Sequence, residues 1–176
     1  MALASIAVLF LAAAGWLWWS ANAADIESME RTVRRRFPEV RQLSTQELSD
    51  WLKSDREKPF LLDVREADEY AVSHLPGARR VDPSLPAEQL EAAVPKDAPV
   101  VTYCSVGWRS SSFAKRLQDA GYKNVQNLEG SIFRWANEDR PLVRDGKPAD
   151  EVHPYSRHWG RLVKPGKRAD LSKSRR

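Results

Sequence analysis

The segment 98–128 limits the possible folds most strongly, because its hydrophobic pattern predicts a strand, a helix and a second strand in succession. Residues 98–104 (APVVTYC) form a short apolar run of strand length, and residues 124–128 (NVQNL) form another. Between them, residues 110–120 carry apolar side chains on one face of a helix, and Gly121 follows where a helix commonly ends. We therefore expect a βαβ unit within an α/β domain whose parallel sheet is covered by helices.

Three further segments before this unit fit the same plan. Ser44 and Glu47 have the spacing of a capping box, which predicts the start of a helix. Residues 59–64 (PFLLDV) are an apolar run that ends in charged residues, as is typical of a buried parallel strand, and residues 78–81 predict a weaker strand. A chain of 176 residues has room for one such domain and not for two full enzyme domains.

The first residues of the chain have a composition that is typical of a membrane-spanning segment. Residues 2–19 are all apolar or small, and at about 1.5 Å per helical residue they just cross a hydrocarbon core of about 30 Å. Three tryptophans near the end of this run lie where an aromatic belt meets the lipid headgroups. We expect residues 1–24 to be a transmembrane anchor. The small-x-small pattern at residues 21–23 leaves a cleaved signal segment as the alternative.

The charges after this segment predict its orientation. Five arginines lie between residues 31 and 41, and no Lys or Arg precedes the apolar run. The positive-inside rule then places the following domain in the cytoplasm, after a juxtamembrane linker at residues 25–39. If the segment is a cleaved signal, the domain is periplasmic or secreted instead.

The positive charge of the chain is concentrated at its end. The formal net charge is +4, but eight of the 28 Lys and Arg residues lie within residues 157–176. The rest of the chain is close to neutral, which argues against a nucleic-acid-binding domain. We predict that residues 145–176 form a basic C-terminal extension that is loosely ordered beyond Trp159, because few apolar residues occur there. The alternative is that residues 153–155 and 159–162 fold back onto the domain by burying their apolar side chains.

Cys104 is the candidate for chemistry, and it is the only cysteine in the chain. A single cysteine excludes an intramolecular disulfide and a multi-cysteine zinc site, and His153 and His158 lack a nearby cysteine that would complete a metal site. Cys104 lies where the predicted strand gives way to the helix, so unpaired N–H groups and the charge of Arg109 should lower its pKa. Gly107 lets the loop curl so that those N–H groups point inward. A buried apolar role is the other interpretation of a lone cysteine.

The residues around Cys104 resemble the active loop of the rhodanese family, with CSVGWR at 104–109. The resemblance covers about residues 40–142, through LDVRE at 62–66, HLPGA at 74–78 and LEGSI at 128–132, and it predicts a domain at residues 40–144. Two positions depart from the family pattern. Ser105 replaces a basic residue that some members carry after the cysteine, and Ser131 stands where a second glycine is common.

The resemblance implies a single rhodanese-like α/β domain with about five parallel strands and helices on both faces. It also implies sulfur transfer without a metal or organic cofactor, with Cys104 as the catalytic nucleophile that carries a persulfide. The partners would be a small sulfur donor, such as thiosulfate, and a thiol or other thiophilic acceptor. The substrate-binding residues would be those of the loop, namely Ser105, Val106, Gly107, Trp108, Arg109 and Ser110. Asp63 and Arg65 would support the loop, with Arg65 paired to Glu69 or Asp63, unless they form only a structural ion pair.

Two other functions are compatible with parts of this pattern. A cysteine phosphatase uses a similar loop but places its arginine six positions after the nucleophile, where this chain has Ser110. The loop therefore favours a single sulfur atom over a phosphate. The second alternative is a noncatalytic, membrane-tethered module that binds a partner or senses redox state.

Overall fold

The computed structural model describes residues 25–171. The helices are α1 (25–36), α2 (Thr45–Lys53), α3 (Ala67–Val72), α4 (Ala87–Leu90), α5 (Trp108–Asp119) and α6 (Ser131–Asn137). The strands are β1 (Arg41–Leu43), β2 (Phe60–Asp63), β3 (Arg79–Arg80), β4 (Pro99–Tyr103), β5 (Asn124–Leu128), β6 (Leu142–Arg144) and β7 (Lys147–Ala149). Two short 3-10 helices follow, at Trp159–Leu162 and Pro165–Lys167.

Five of the strands form one sheet in the order β1-β5-β4-β2-β3, and every pairing in it is parallel. This confirms the prediction of a five-stranded parallel sheet. β4 is the central strand, with Val101 opposite Leu61 of β2 on one side and opposite Gln126 of β5 on the other. The carboxyl ends of parallel strands lie at the same edge of the sheet. Because Cys104 follows the central strand, it lies at the middle of that edge. β6 and β7 form a separate antiparallel pair.

Helices cover both faces of this sheet, as the alternation of side chains along the strands shows. Leu61 and Val101 belong to one buried cluster, whereas their neighbours Leu62 and Val100 belong to another. Side chains of α2 and α6 complete the first cluster, and side chains of α4 and α5 complete the second. Successive strand residues point to opposite faces, so the two clusters are the two sides of the sheet.

The predicted helix ends are confirmed at two places. Ser44 caps α2, and its hydroxyl accepts from the Glu47 N–H at 3.1 Å while the Glu47 carboxylate accepts from the Ser44 N–H at 2.8 Å. Gly121 follows the cap of α5 with φ +92°, a conformation in which a residue with a Cβ is strained.

α1 packs against the domain. Ile26 is buried in the first cluster, and Val33 and Phe37 are buried in the second. The segment predicted as a linker, 25–39, is therefore mostly a docked helix. The expected anchor at residues 2–19 lies outside the described residues. Within residues 25–171, no helix has the length and apolar content needed to cross a membrane.

The prediction of a loosely ordered tail beyond Trp159 is wrong for residues 160–171, and the alternative, in which residues 159–162 fold back onto the domain, is confirmed. Leu162 and Val163 are buried in the first cluster. The Val152 N–H donates to the Lys167 carbonyl at 2.8 Å, and the Ala169 N–H donates back to the Val152 carbonyl at 3.0 Å. A few apolar residues at the right positions and a pair of backbone hydrogen bonds are enough to dock this segment, although its composition is mostly polar and basic.

Candidate active site

Cys104 follows directly after β4, and three loop residues separate it from the start of α5. Gly107 is the residue before α5 and has φ +101°. A Cβ added to it would lie 3.2 Å from Asn127 Nδ2, so the position combines a left-handed backbone with a close neighbour. The tight turn at Gly107 aims the first amides of α5 back toward the cysteine.

The sulfur of Cys104 faces hydrogen-bond donors at the start of α5. The Gly107 N–H donates to Cys104 Sγ at 3.2 Å, and the Ser110 N–H also faces the sulfur, while the Ser110 hydroxyl donates to Asn127 Oδ1 at 2.6 Å. Burial raises the pKa of the Cys104 thiol, but the charge of Arg109 and the donors of Ser110 and Gly107 lower it by more. The net pKa lies below the ordinary value of a thiol, which favours the nucleophilic thiolate.

The backbone of the cysteine loop is held from behind by the start of α6. The Ser131 hydroxyl accepts from the Cys104 N–H at 3.2 Å and donates to the Leu128 carbonyl at 3.0 Å. The carbonyl of Cys104 accepts from the Ile132 N–H at 3.2 Å. Ser131, one of the two departures from the family pattern, thus has a definite role, because its hydroxyl satisfies a buried amide of the loop.

Arg109, the expected contact for an anionic donor, is held by a buried carboxylate. Its Nη1 donates to Glu69 Oε2 at 2.8 Å, and its Nη2 donates to Glu69 Oε1 at 2.9 Å. The Ser105 hydroxyl donates to Glu69 Oε1 at 2.9 Å and accepts from Arg109 Nη2 at 3.0 Å. Burial raises the pKa of Glu69, but the hydrogen bonds and charge of Arg109 lower it by more, so the carboxylate is ionised at neutral pH.

Of the two partners expected for Arg65, the structure selects Asp63. Arg65 Nη2 donates to Asp63 Oδ2 at 2.6 Å, and both side chains are fully buried. The same Nη2 donates to the Ser73 carbonyl at 2.7 Å, which ties the end of β2 to the end of α3. Since α3 carries Glu69, the Asp63–Arg65 pair positions the helix that holds Arg109. The sequence pattern left this division of partners open.

A pocket of about 360 Å³ opens over the cysteine. Cys104 lines it although the residue is only 1% exposed, so a reactant reaches the sulfur through this pocket. Trp108, which is 42% exposed, forms part of the wall and meets the Phe37 ring edge-on, with 5.5 Å between ring centroids. The lining residues are Met29, Cys104, Ser105, Val106, Trp108, Arg109, Tyr155 and Trp159.

Three wall residues were not predicted as site residues: Met29 from α1, and Tyr155 and Trp159 from the segment after β7. The Arg109 guanidinium lies over the Tyr155 ring, 4.9 Å from its centroid. Nothing near Met29 marks it as a site residue. The only signal for the other two is the presence of aromatic residues in an otherwise polar, basic extension.

The predicted loop residues divide into three roles. Cys104 and Gly107 supply the sulfur and an amide that faces it, while Ser105, Val106, Trp108 and Arg109 line the pocket. Ser110 faces the sulfur and also anchors α5, because its hydroxyl donates to Asn127 Oδ1 at 2.6 Å. In the described part of the chain, no cluster of three or more His, Cys, Asp or Glu residues could hold a metal ion.

The sequence is similar to that of a known domain family and of several named proteins. A family model described as a rhodanese-like domain matches residues 44–138. A sulfurtransferase of Allochromatium vinosum is 36% identical over 105 residues, which are 59% of this chain and 95% of that protein. MoeZ of Mycobacterium tuberculosis, whose name reads "Probable adenylyltransferase/sulfurtransferase", is 37% identical over 101 residues. Those residues are 56% of this chain but only 25% of MoeZ.

A solved structure gives the same fold. The crystal structure of a rhodanese-like domain protein from Staphylococcus aureus matches with a TM-score of 0.53 and 24% identity, over 60% of this chain and 99% of that one. The region that matches the family model, residues 44–138, contains β2 to β5 of the sheet and the cysteine loop. Met29, Tyr155 and Trp159 lie outside it.

Proposed function

Because this chain belongs to the rhodanese-like domain family, we propose that it is a sulfurtransferase that works through a persulfide on Cys104. The relatives named as sulfurtransferases support sulfur transfer as the general activity. The donor is a small sulfane sulfur compound of the thiosulfate type, and the acceptor is a thiol or another thiophilic group. The observation that carries the proposal is the position of Cys104 directly after β4, where the Gly107 N–H donates to its sulfur at 3.2 Å and the charge of Arg109 lowers the pKa of its thiol.

The first half-reaction forms the persulfide. The Cys104 thiolate attacks the terminal sulfur of the donor, the S–S bond of the donor breaks, and the remainder leaves with the bonding pair, as sulfite when the donor is thiosulfate. The new terminal sulfur carries the negative charge. The N–H groups of Gly107 and Ser110 face this region and stabilise that charge in the manner of an oxyanion hole.

The second half-reaction returns the enzyme to its starting state. The acceptor attacks the terminal sulfur of the persulfide, takes it, and releases the Cys104 thiolate. No second cysteine of this chain is needed, because the acceptor supplies the second nucleophile. Arg109 keeps its charge close to the sulfur in both half-reactions, since Glu69 fixes its position through two hydrogen bonds.

The proposal is tested by the intact mass of the protein after incubation with a sulfane sulfur donor. We expect the mass to increase by that of one sulfur atom, about 32 Da, and dithiothreitol or cyanide to remove the addition. The Cys104→Ser variant should gain nothing, and Ser112→Ala, on the exposed side of α5, should behave like the wild type. Absence of the adduct with every donor tried would instead favour the noncatalytic binding or redox-sensing module.

A further inference from the structure

The pocket over Cys104 has a wall that the shared domain does not provide. Residues 44–138 match the family model, yet Met29 of α1 and both Tyr155 and Trp159 line the pocket. Val106 and Trp108 add two more apolar side chains, and the polar side chains of the wall are Ser105 and Arg109, so the surface that a bound molecule meets is largely apolar and aromatic. Such a surface binds an apolar body and gives little to a small, strongly hydrated anion.

The charged side chains around Cys104 also disfavour a small anion with two negative charges. Arg109 is the one cation among the lining residues, and both of its terminal nitrogens donate to the ionised Glu69. The charges of Arg109 and Glu69 therefore sum to zero. The negative charge of the Cys104 thiolate then gives these three side chains together a net negative charge. Each further negative charge on a donor is therefore repelled. Thiosulfate carries two negative charges and is therefore repelled more strongly than a donor that carries one.

We infer that the preferred sulfur donor is a monoanion with an apolar or aromatic body, of which an arylthiosulfonate is the simplest example. This inference rests on the proposed persulfide chemistry and names its substrate class. The Cys104 thiolate attacks the terminal sulfur, the S–S bond to the sulfonyl sulfur breaks, and the sulfinate leaves with the bonding pair. No proton moves and no oxidant or reductant is needed. The aryl group packs against Trp159 and Tyr155 while the sulfur reaches Cys104.

The test compares three donors by the second-order rate constant for persulfide formation on the full chain, followed by intact mass. Benzenethiosulfonate and methanethiosulfonate carry the same charge and differ only in the apolar group, and thiosulfate adds the second charge. Each rate constant is divided by that for the thiolate of N-acetylcysteine, which removes differences in intrinsic reactivity. We expect the corrected value for benzenethiosulfonate to exceed that for methanethiosulfonate by about tenfold, and thiosulfate to be the slowest.

Two variants test whether the preference for the aryl donor depends on the aromatic side chains of the pocket wall. Trp159→Ala and Tyr155→Asn each remove a ring, and asparagine tolerates the left-handed backbone of Tyr155, which has φ +62°. In both, the ratio between the two thiosulfonates should fall several-fold, because the ring against which the aryl group packs is gone. Tyr155 is 48% exposed, so its variant should fold even if Trp159→Ala does not. Arg157→Ala, an exposed neighbour outside the pocket, is the matched control and should keep the wild-type ratio.

The outcomes separate this inference from the proposed function. If no donor adds sulfur to Cys104, the proposed function fails. If all three donors add sulfur but the corrected thiosulfonate ratio is near one, or the ratio survives the loss of either ring, only the inference is overturned. A corrected rate with thiosulfate above that of both thiosulfonates would also overturn it.

Discussion

Cys104 is buried, and burial alone would keep its thiol protonated, because removing a thiolate from water is unfavourable. The structure reverses this effect with one full charge, that of Arg109, and with donors from Gly107 and Ser110. Arg109 in turn stays in place because Glu69 binds it through both carboxylate oxygens. The reactivity of the thiol is therefore a property of a small group of residues and not of the cysteine alone.

Replacing Arg109 with Gln should raise the pKa of Cys104, because the charge that favours the thiolate is lost while the burial remains. The alkylation rate of Cys104 with iodoacetamide, measured against pH, should have its midpoint at a higher pH than in the wild type. At any pH below that new midpoint, the variant should react more slowly.

Two variants check that result. Arg109→Lys keeps the charge but not the paired hydrogen bonds, so its midpoint should lie between those of Arg109→Gln and wild type. Arg157→Gln removes a charge from an exposed position outside the pocket and should leave the midpoint unchanged. An Arg109→Gln midpoint equal to that of the wild type would show that Arg109 does not set the thiol pKa.

Among the structural elements, α1 acts as a brace for the cysteine loop. Glu30 of α1 binds Arg134 of α6, with Arg134 Nη2 donating to Glu30 Oε2 at 3.0 Å. The first turn of α6 in turn holds the loop, through the bonds of Ser131 and Ile132 to the backbone of Cys104. α1 thus contributes Met29 to the pocket wall directly and stabilises the cysteine indirectly.

Phe37, which follows α1, should be important for stability. Its ring is buried in the second core cluster and touches the Trp108 ring edge-on. Phe37→Ala leaves a cavity at this contact and should reduce the free energy of unfolding by about 3–5 kcal/mol in urea titrations. Arg35→Ala, an exposed change in α1, should cost less than about 0.5 kcal/mol. Equal costs for the two variants would mean that α1 is not docked as described.

In the molecule as a whole, both ends of the described chain join the core of the sheet. α1 buries side chains in both clusters, and the segment after β7 buries Val152, Leu162 and Val163 in the first. Asn137 of α6 fixes that segment by donating to the Leu162 carbonyl at 2.7 Å. We therefore expect residues 25–171 to unfold as one cooperative unit, since these contacts leave no separate subdomain.

Leu162→Ala tests this expectation. Removing a core side chain should lower the free energy of unfolding of the entire domain by about 2–5 kcal/mol. Circular dichroism of the helices and tryptophan fluorescence should still report a single, coincident transition. Arg161→Ala, the exposed neighbour, should change stability by less than about 0.5 kcal/mol. Two separate transitions, with only one affected by Leu162→Ala, would contradict the single unit.

The parts of this protein that could be predicted from sequence are those encoded by neighbouring residues. A strand appears as a short apolar run, the start of α2 as the Ser44–Glu47 box, and the end of α5 as Gly121, because each signal lies within a few positions. The cysteine loop belongs to the same class, since strand, turn and helix follow one another from residue 98 to residue 120. The parallel sheet and the position of Cys104 at its edge follow directly from those local signals.

Only the tertiary structure decided the contacts between residues far apart in the chain. Glu69 and Arg109 are 40 positions apart, and their pairing, with Arg65 left to Asp63, depends on where α3 packs. Tyr155 and Trp159 reach the cysteine because Val152, Leu162 and Val163 bury apolar surface on the sheet. Docking of this kind depends on shape and on the surface left uncovered by other elements, and no short stretch of sequence records it.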